Sequence, residues 1–361
     1  MLLLNPGPVT LSERVRQAML GPDLCHREPE FTTLQGRIRD QLLRVYHLHP
    51  ADWAAVLLTG SGTSAMEAML TSLVPDSGHL LVIENGVYGE RLGRIAAIHG
   101  IPHTRLRHEW GAPIDLRELA DLLAQGEYSH LAVVHHETTT GRLNDLIAIG
   151  ELARAHGVEV LVDAVSSFGA EAIDFDGWNV AACAATANKC LHGVPGTAFV
   201  IVRRDALKAG DPQARTLYLD LASYLGQQDQ GGTPFTQSVQ TFYALDEALA
   251  EFFEAGGWQA RRAHYRALAA QVREGLRGLG ITALLPEAET SCVLHAYHLP
   301  RGLDYQQLHD RLKAAGFIIY AGQGALARTL FRISTMGALD AGDMDALLAA
   351  MARIVGNGDA G

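Results

Sequence analysis

The sequence has 361 residues, of which 48% are hydrophobic and 19% charged, and its formal net charge at pH 7 is −11. This length suits two domains of ordinary size, and the composition is that of a globular protein with a large interior. The acidic balance, without any run rich in Lys or Arg, argues against nucleic acid or an anionic membrane surface as the main partner.

The chain starts with "MLLLNPGPVT", which has no basic segment before its leucines and breaks at Pro6. This pattern is not that of a secretory signal peptide. No apolar run approaches the roughly 20 residues that a membrane-spanning helix needs. We therefore expect a soluble, cytoplasmic protein.

From about residue 54, short apolar runs alternate with helix-like stretches. "AAVLLTG" precedes "TSAMEAMLTSL", "HLLVIENG" precedes "YGERLGRIAAIHG", and "HLAVVHHE" and "VEVLVDAVS" flank another helical stretch. Such alternation is typical of βαβ units, so it predicts an α/β fold with a mostly parallel sheet. "VAACAAT" and "TAFVIVRR" add two closely spaced strands.

After roughly residue 235 the pattern changes to two long helices, followed by a strand–helix–strand–strand–helix run that includes "FIIYAG" as one strand. This predicts a smaller C-terminal α+β domain. We expect residues 1–20 to join the small domain and the active site, residues 21–240 to form the large domain, and residues 241–361 to form a linking helix and the small domain.

Several polar residues follow predicted strands, where an open α/β sheet binds ligands. Ser61, Gly62 and Thr63 lie between a strand and a helix, where the helix N-terminus can bind a phosphate, although a plain capped turn explains them equally well. Asp163 ends a strand, where a carboxylate can bind a metal, a ribose or a protonated ring nitrogen, or cap the next turn.

Two further strands of the predicted sheet are followed by possible ligand contacts. "HHETTTG" offers hydroxyls such as that of Thr138, and "ENGVYGER" places Tyr88 in a predicted loop, where its ring can stack on a planar cofactor or belong to the core.

Lys189 is a single lysine that follows the small, apolar run "CAATAN". Lysine is almost never fully buried without a partner, so this one is either a surface residue or an amine that does chemistry. The four cysteines, Cys25, Cys183, Cys190 and Cys292, fit neither a disulfide framework nor a CxxC site, and the histidines show no HExxH pattern. We expect no metal.

Together, and in this order, these motifs resemble the class V, fold-type I aminotransferases that use pyridoxal 5′-phosphate (PLP), from "NPGPVT" to "FRISTMG". The resemblance implies that Lys189 links covalently to the cofactor and that Asp163 pairs with its pyridine nitrogen. It also implies that Arg332 grips the acidic group of the substrate, for which a surface ion pair is the alternative. The other implied cofactor contacts are Ser61, Gly62, Thr63 and Asn188 near the phosphate, Tyr88 and Val165 on the two ring faces, Thr138 near the 3-hydroxyl, and Thr233 at the phosphate of a neighbouring subunit.

Within this family, "HHETTTG", "DAVSSFGA" and "ATANKCLHGVPG" most resemble the enzymes that act on 2-aminoethylphosphonate and pyruvate. The resemblance implies a homodimer that forms phosphonoacetaldehyde and L-alanine in two half-reactions. "LCHREPEF" departs from that branch and is similar to the alanine–glyoxylate branch. The resemblance implies that Arg27, in this segment, lies near the substrate entrance, where it can serve a phosphonate or a carboxylate. An alanine or serine–glyoxylate aminotransferase therefore remains an alternative. A PLP lyase on the same fold is a further alternative. A lyase of the desulfurase type needs a reactive cysteine on a mobile loop late in the chain, whereas Cys292 lies in a strand-like run.

Overall fold

The protein is represented by a computed structural model that describes residues 1–208 and 214–356. Its α-helices occur along the whole described chain. They are α1 (Glu13–Ala18), α2 (Pro29–Arg44), α3 (Gly62–Leu73), α4 (Val87–Ile98), α5 (Leu116–Gln125), α6 (Leu146–Ala155), α7 (Arg204–Lys208), α8 (Leu221–Asp229), α9 (Val239–Glu254), α10 (Gly257–Gly278), α11 (Tyr305–Ala314) and α12 (Ala341–Gly356).

The β-strands fall into one large sheet and several small ones. They are β1 (Leu2–Leu3), β2 (Trp53–Gly60), β3 (Leu80–Glu84), β4 (His103–Arg107), β5 (His130–Val134), β6 (His136–Glu137), β7 (Arg142–Leu143), β8 (Glu159–Asp163), β9 (Val180–Thr186), β10 (Gly196–Arg203), β11 (Leu294–His298), β12 (Phe317–Ile318), β13 (Tyr320–Ala321) and β14 (Leu330–Ser334). Two 3₁₀ helices cover Glu287–Glu289 and Gly324–Arg328.

The large sheet has seven strands in the order β2-β10-β9-β8-β5-β3-β4. The pairs from β9 to β4 are parallel, whereas β10 is antiparallel to both β9 and β2. The reversal follows from the chain length, because residues 187–195 are too few for the crossover of about a dozen residues that a parallel pair needs. The predicted α/β fold with a mostly parallel sheet is confirmed, and the loop that carries Lys189 lies at the carboxyl end of β9.

The sheet is covered on both faces, and its central strands are therefore apolar along their full length. Every residue of β9 is buried. Its alanines, such as Ala182 and Ala184, share one hydrophobic cluster with Ala65 and Ala68 of α3. Small side chains on both elements let α3 pack close to the sheet, and this packing fixes the turn that precedes α3.

The C-terminal part contains the two long helices that the sequence predicts, α9 and α10, and a three-stranded antiparallel sheet in the order β11-β14-β13. "FIIYAG" is not one strand: β12 pairs in parallel with β1, and β13 pairs with β14. The run divides at the buried Ile319 because the N-terminal strand takes the first half as its partner. The predicted domain bounds stay a prediction.

Two backbone hydrogen bonds fasten the segment after β1 to the C-terminal part. Ser334 N–H donates to Leu4 O at 2.8 Å, and Ala338 N–H donates to Thr10 O at 2.8 Å. Residues 1–10 therefore run along the small sheet before the chain enters α1. Within the described residues, no helix combines the length and apolar character needed to cross a membrane.

Candidate active site

Lys189 lies in a confined environment formed partly by the N-terminal segment. Its Nζ donates a hydrogen bond to Pro6 O. A Cβ atom on Gly7, whose φ is +110°, would lie 2.8 to 3.0 Å from Cδ, Cε and Nζ of the lysine, so glycine is required there. Because burial penalises the charged amine, the pKa of Lys189 falls to about 8. Of the two alternatives for this residue, a surface lysine is wrong.

Asp163 is the last residue of β8, and its side chain is buried. Within the described residues its carboxylate accepts one hydrogen bond, from Val165 N–H at 2.9 Å. Burial raises the pKa of Asp163 to about 7, and the nearby carboxylate of Glu137 adds to this effect, while Arg91 and Lys189 oppose it. The carboxylate therefore caps the next turn and still has the capacity to accept a further, cationic donor.

The turn before α3 places three predicted phosphate contacts side by side. Ser61 is the N-cap of α3, yet its side chain makes no capping hydrogen bond, so within the described residues its hydroxyl is not used to cap the helix. A Cβ on Gly62 would lie 2.7 and 2.9 Å from the two methyl carbons of Val165, so the turn and Val165 are in close contact. Thr63 Oγ1 accepts a hydrogen bond from Arg91 Nη1 at 3.1 Å.

Tyr88 lies in the first turn of α4 and not in a loop, so that prediction is wrong. The helix begins at Val87 because acceptors from residues 137–139 satisfy its first N–H groups: Thr139 Oγ1 for Val87, and Glu137 Oε2 for Tyr88 and Gly89. The ring of Tyr88 is half-buried, and the guanidinium carbon of Arg91 lies 4.6 Å from its centroid.

Arg332 lies in the middle of β14 and is 3% exposed, so the alternative of a surface ion pair is wrong. Its Nε donates to Ala321 O at 2.8 Å, and its Nη1 donates to Thr138 O at 2.7 Å. Burial lowers the pKa of the guanidinium. In the described part of the chain, Nη2 donates to no protein acceptor, which leaves one edge of the planar group for an anion.

The remaining predicted residues divide into two groups. Asn188 is adjacent to Lys189 and its Oδ1 accepts a hydrogen bond from Thr186 Oγ1 at 2.8 Å. Thr233 and Arg27 instead line a different cavity of about 600 Å³, together with Arg215. Thr233 is buried and Arg27 is exposed, and Lys189 is not among the residues that line their cavity.

The sequence reasoning missed four residues that shape the site: Pro6 and Gly7 at the lysine, Arg91 at Thr63 and Tyr88, and Glu137. The Pro–Gly turn in "NPGPVT" and the charged residue in "YGER" were signals for the first three. No local pattern indicated Glu137, because two of its partners, Tyr88 N–H and Gly89 N–H, lie about fifty residues earlier in the chain.

Comparisons with known proteins place these residues in a wider context. The sequence model of the family described as Aminotransferase class-V matches residues 23–347. A 2-aminoethylphosphonate–pyruvate transaminase of Aeromonas hydrophila is 39% identical over 361 residues, covering 97% of this chain and 94% of the relative. One of Vibrio vulnificus (strain YJ016) is 37% identical, covering 98% of this chain and 97% of the relative.

Solved structures of similar proteins cover the whole described fold. An aspartate aminotransferase of subgroup IV from Thermus thermophilus superimposes with a TM-score of 0.90 at 28% identity, covering 99% of each chain. An alanine–glyoxylate aminotransferase from Nostoc superimposes with a TM-score of 0.91 at 28% identity, covering 98% of this chain and 95% of the other.

Proposed function

The chain belongs to the class V aminotransferases, and from that premise we propose that it transfers the amino group of 2-aminoethylphosphonate to pyruvate with PLP as cofactor. The predicted PLP-dependent transferase architecture of fold type I is confirmed by the likeness to solved aminotransferases. The substrate assignment rests on the sequence identity of 36 to 39% with 2-aminoethylphosphonate–pyruvate transaminases over nearly the whole chain.

The residues around Lys189 and Asp163 fit PLP. A carboxylate that is buried, has a pKa near 7 and accepts one hydrogen bond suits a protonated pyridine nitrogen. The N-terminus of α3 and the hydroxyl of Ser61, which makes no capping hydrogen bond, suit a phosphate. Gly62 lets Val165 approach this turn closely. When bound, PLP withdraws electrons from the reacting carbon and carries the amino group between the two half-reactions.

Lys189 supplies the base. With its pKa near 8, Nζ is substantially neutral at mildly alkaline pH, so it can take a proton from the aminomethylene carbon of the donor. Lys189 would then deliver that proton to the bound cofactor as the amino group is transferred, and would move a proton in the opposite sense when pyruvate receives the amino group. Asp163 would pair with the pyridine nitrogen of bound PLP and stabilise its positive charge. Burial raises the pKa of this carboxyl group to about 7, and a cation placed beside it would favour the ionised form.

Arg332 binds the acidic group of each substrate. Two carbonyl oxygens, of Ala321 and Thr138, hold the guanidinium in place, and its Nη2 edge faces no protein acceptor within the described residues. A guanidinium that is already positioned loses little entropy when it binds a phosphonate in one half-reaction and a carboxylate in the other.

The proposed enzyme is a homodimer in which Thr233 and Arg27 act in the active site of the other subunit. Because they line a cavity separate from Lys189 in their own chain, we assign Thr233 to the cofactor phosphate of a second copy and Arg27 to the approach to its substrate. A cytoplasmic location is part of the proposal, and the four free cysteines fit a reducing compartment.

A lyase of the desulfurase type fits this chain poorly. Cys292 is the cysteine that the alternative would use, but it is 5% exposed. Burial raises the pKa of its thiol well above the usual range, so the thiolate needed for nucleophilic attack is strongly disfavoured.

The donor is tested by a panel with pyruvate as acceptor, read out as L-alanine formed. We expect 2-aminoethylphosphonate to exceed β-alanine, taurine and serine by at least about 100-fold in kcat/KM, which corresponds to about 2.7 kcal/mol of differential transition-state binding. The same panel is repeated with glyoxylate as acceptor. If alanine or serine with glyoxylate proves the better pair, the glyoxylate alternative signalled by "LCHREPEF" is correct and the phosphonate assignment is wrong.

A further inference from the structure

Glu137 is a fully buried carboxylate whose two oxygens bind two different segments of the large domain. Oε2 accepts hydrogen bonds from the N–H groups of Tyr88 and Gly89, both at 3.2 Å. Oε1 accepts from Thr139 N–H at 3.1 Å and from Thr139 Oγ1 at 2.6 Å. The side chain is 0% exposed, so water cannot replace any of these contacts.

The two segments joined by Glu137 carry the groups assigned to the cofactor ring and the substrate. One is the start of α4 with Tyr88, and the other is the turn with Thr138. Thr138 O in turn accepts a hydrogen bond from Arg332 Nη1 at 2.7 Å. A continuous set of hydrogen bonds therefore connects the start of α4, the Thr138 turn and the substrate arginine, with Glu137 at its centre.

The space around the carboxylate allows little movement. A Cβ on Gly86 would lie 2.3 Å from Glu137 Cδ and 2.7 Å from Oε2. The φ of Gly86 is 175°, an extended conformation that any residue adopts, so this position requires glycine for space and not for backbone freedom. The close approach allows Oε2 to reach two successive N–H groups of α4.

Resting on the proposed function, we propose that Glu137 is a positioning residue that fixes Tyr88 and Thr138 at the separation needed to hold PLP, and through Thr138 O orients Arg332. The role is distinct from that of Asp163, which touches the cofactor itself. Glu137 acts on the site through hydrogen bonds to neighbouring backbone, and its charge also contributes to the raised pKa of Asp163.

The first test is Glu137→Gln, examined as holoenzyme. The amide is isosteric, but its NH2 group cannot accept hydrogen bonds. The NH2 group must therefore lie against N–H donors, either those of Tyr88 and Gly89 or that of Thr139. We expect the PLP dissociation constant, measured by equilibrium dialysis, to rise at least about tenfold. We also expect the visible circular dichroism of the bound cofactor to weaken and KM for both substrates to rise.

The matched control is Glu171→Gln. Glu171 is also a buried carboxylate that accepts hydrogen bonds from a backbone N–H and a hydroxyl, those of Cys292 and Ser291. It also pairs with Arg262 Nε at 3.0 Å, and within the described residues no hydrogen bond joins it to Tyr88 or Thr138. Both amides should lower the melting temperature. Only Glu137→Gln should weaken PLP binding, whereas Glu171→Gln should leave the dissociation constant within about twofold of wild type.

The second test is Gly86→Ala, which keeps the charge of Glu137 and displaces its carboxylate. We expect the same weaker PLP binding and the same loss of cofactor dichroism. This variant also decides the question if Glu137→Gln does not fold.

Wild-type PLP affinity and dichroism in a folded Glu137→Gln or Gly86→Ala enzyme would overturn the proposal, as would equal weakening of PLP binding by Glu171→Gln. If the wild-type protein itself binds no PLP, the proposed function fails, and that result is distinct from a failure of the role of Glu137.

Discussion

Replacing Arg332 by lysine preserves the positive charge but removes the planar set of donors. In the wild-type protein one guanidinium spans Ala321 O at 2.8 Å and Thr138 O at 2.7 Å and still presents Nη2. An ammonium group has its three N–H bonds on a single nitrogen, so it cannot reach both carbonyls and also bind an anion at the same place.

The magnitude of the effect follows from these contacts. The variant loses one charge-assisted hydrogen bond to the substrate, worth about 1.5 to 3 kcal/mol. It also leaves one buried carbonyl without its donor, which costs about 1 to 3 kcal/mol, part of it already present without substrate. A loss near 3 kcal/mol in transition-state binding corresponds to a fall of about 150-fold in kcat/KM.

The assay measures kcat/KM separately for 2-aminoethylphosphonate and for pyruvate. Both values should fall, because one guanidinium serves both anions. Arg328→Lys is the matched control: Arg328 is exposed in the nearby 3₁₀ helix Gly324–Arg328, and its replacement should change neither value by more than about twofold. If Arg332→Lys keeps both kcat/KM values within about threefold of wild type, or lowers the value for only one substrate, then the proposal that both anions bind at Arg332 is wrong.

Three further predictions concern the cofactor site. Borohydride reduction of the yellow holoenzyme should fix PLP on Lys189, and peptide mapping that finds it on another residue would contradict the assignment. Asp163→Asn should retain the fold but raise the barrier to proton abstraction by several kcal/mol. Near-normal turnover in a variant saturated with PLP would reject the role assigned to Asp163. Because burial raises the folded-state pKa of Asp163 from 3.8 to about 7, its stability contribution is complete below about pH 4 and is lost as the pH rises through 7. The Asp163→Asn substitution should therefore raise the melting temperature of the cofactor-free protein more at pH 8 than at pH 5, and an equal shift at both would show that the carboxylate is not destabilised by burial.

The parts of the structure that were predictable from sequence depend on local patterns. Alternating apolar runs and helical stretches indicate a parallel sheet, and polar residues that follow the strands indicate its ligand edge, which is where Asp163 and Lys189 lie. The lone lysine after a run of small residues was informative because burial of an amine without a chemical role is unfavourable.

The parts that were not predictable depend on distant segments of the chain. Tyr88 was expected in a loop, but α4 begins at Val87 because Glu137 and Thr139, about fifty residues later, accept its first N–H groups. "FIIYAG" was expected as one strand, but its first half pairs with Leu2–Leu3. Local sequence patterns contain no information about such partners, since the tertiary contact decides the element boundary.

The pairing of β1 with β12 has a consequence for how the protein is made. Leu2 and Leu3 emerge from the ribosome more than 300 residues before their partners Phe317 and Ile318. Until then Pro6 and Gly7 have no small sheet to hold them beside Lys189, although the strands that flank the lysine are already complete. Contacts between residues this far apart in the chain form slowly, because a very long loop must close first. The surroundings of the lysine are therefore among the last parts of the fold to form, and a chain arrested before the small domain is translated has the large sheet without an enclosed amine.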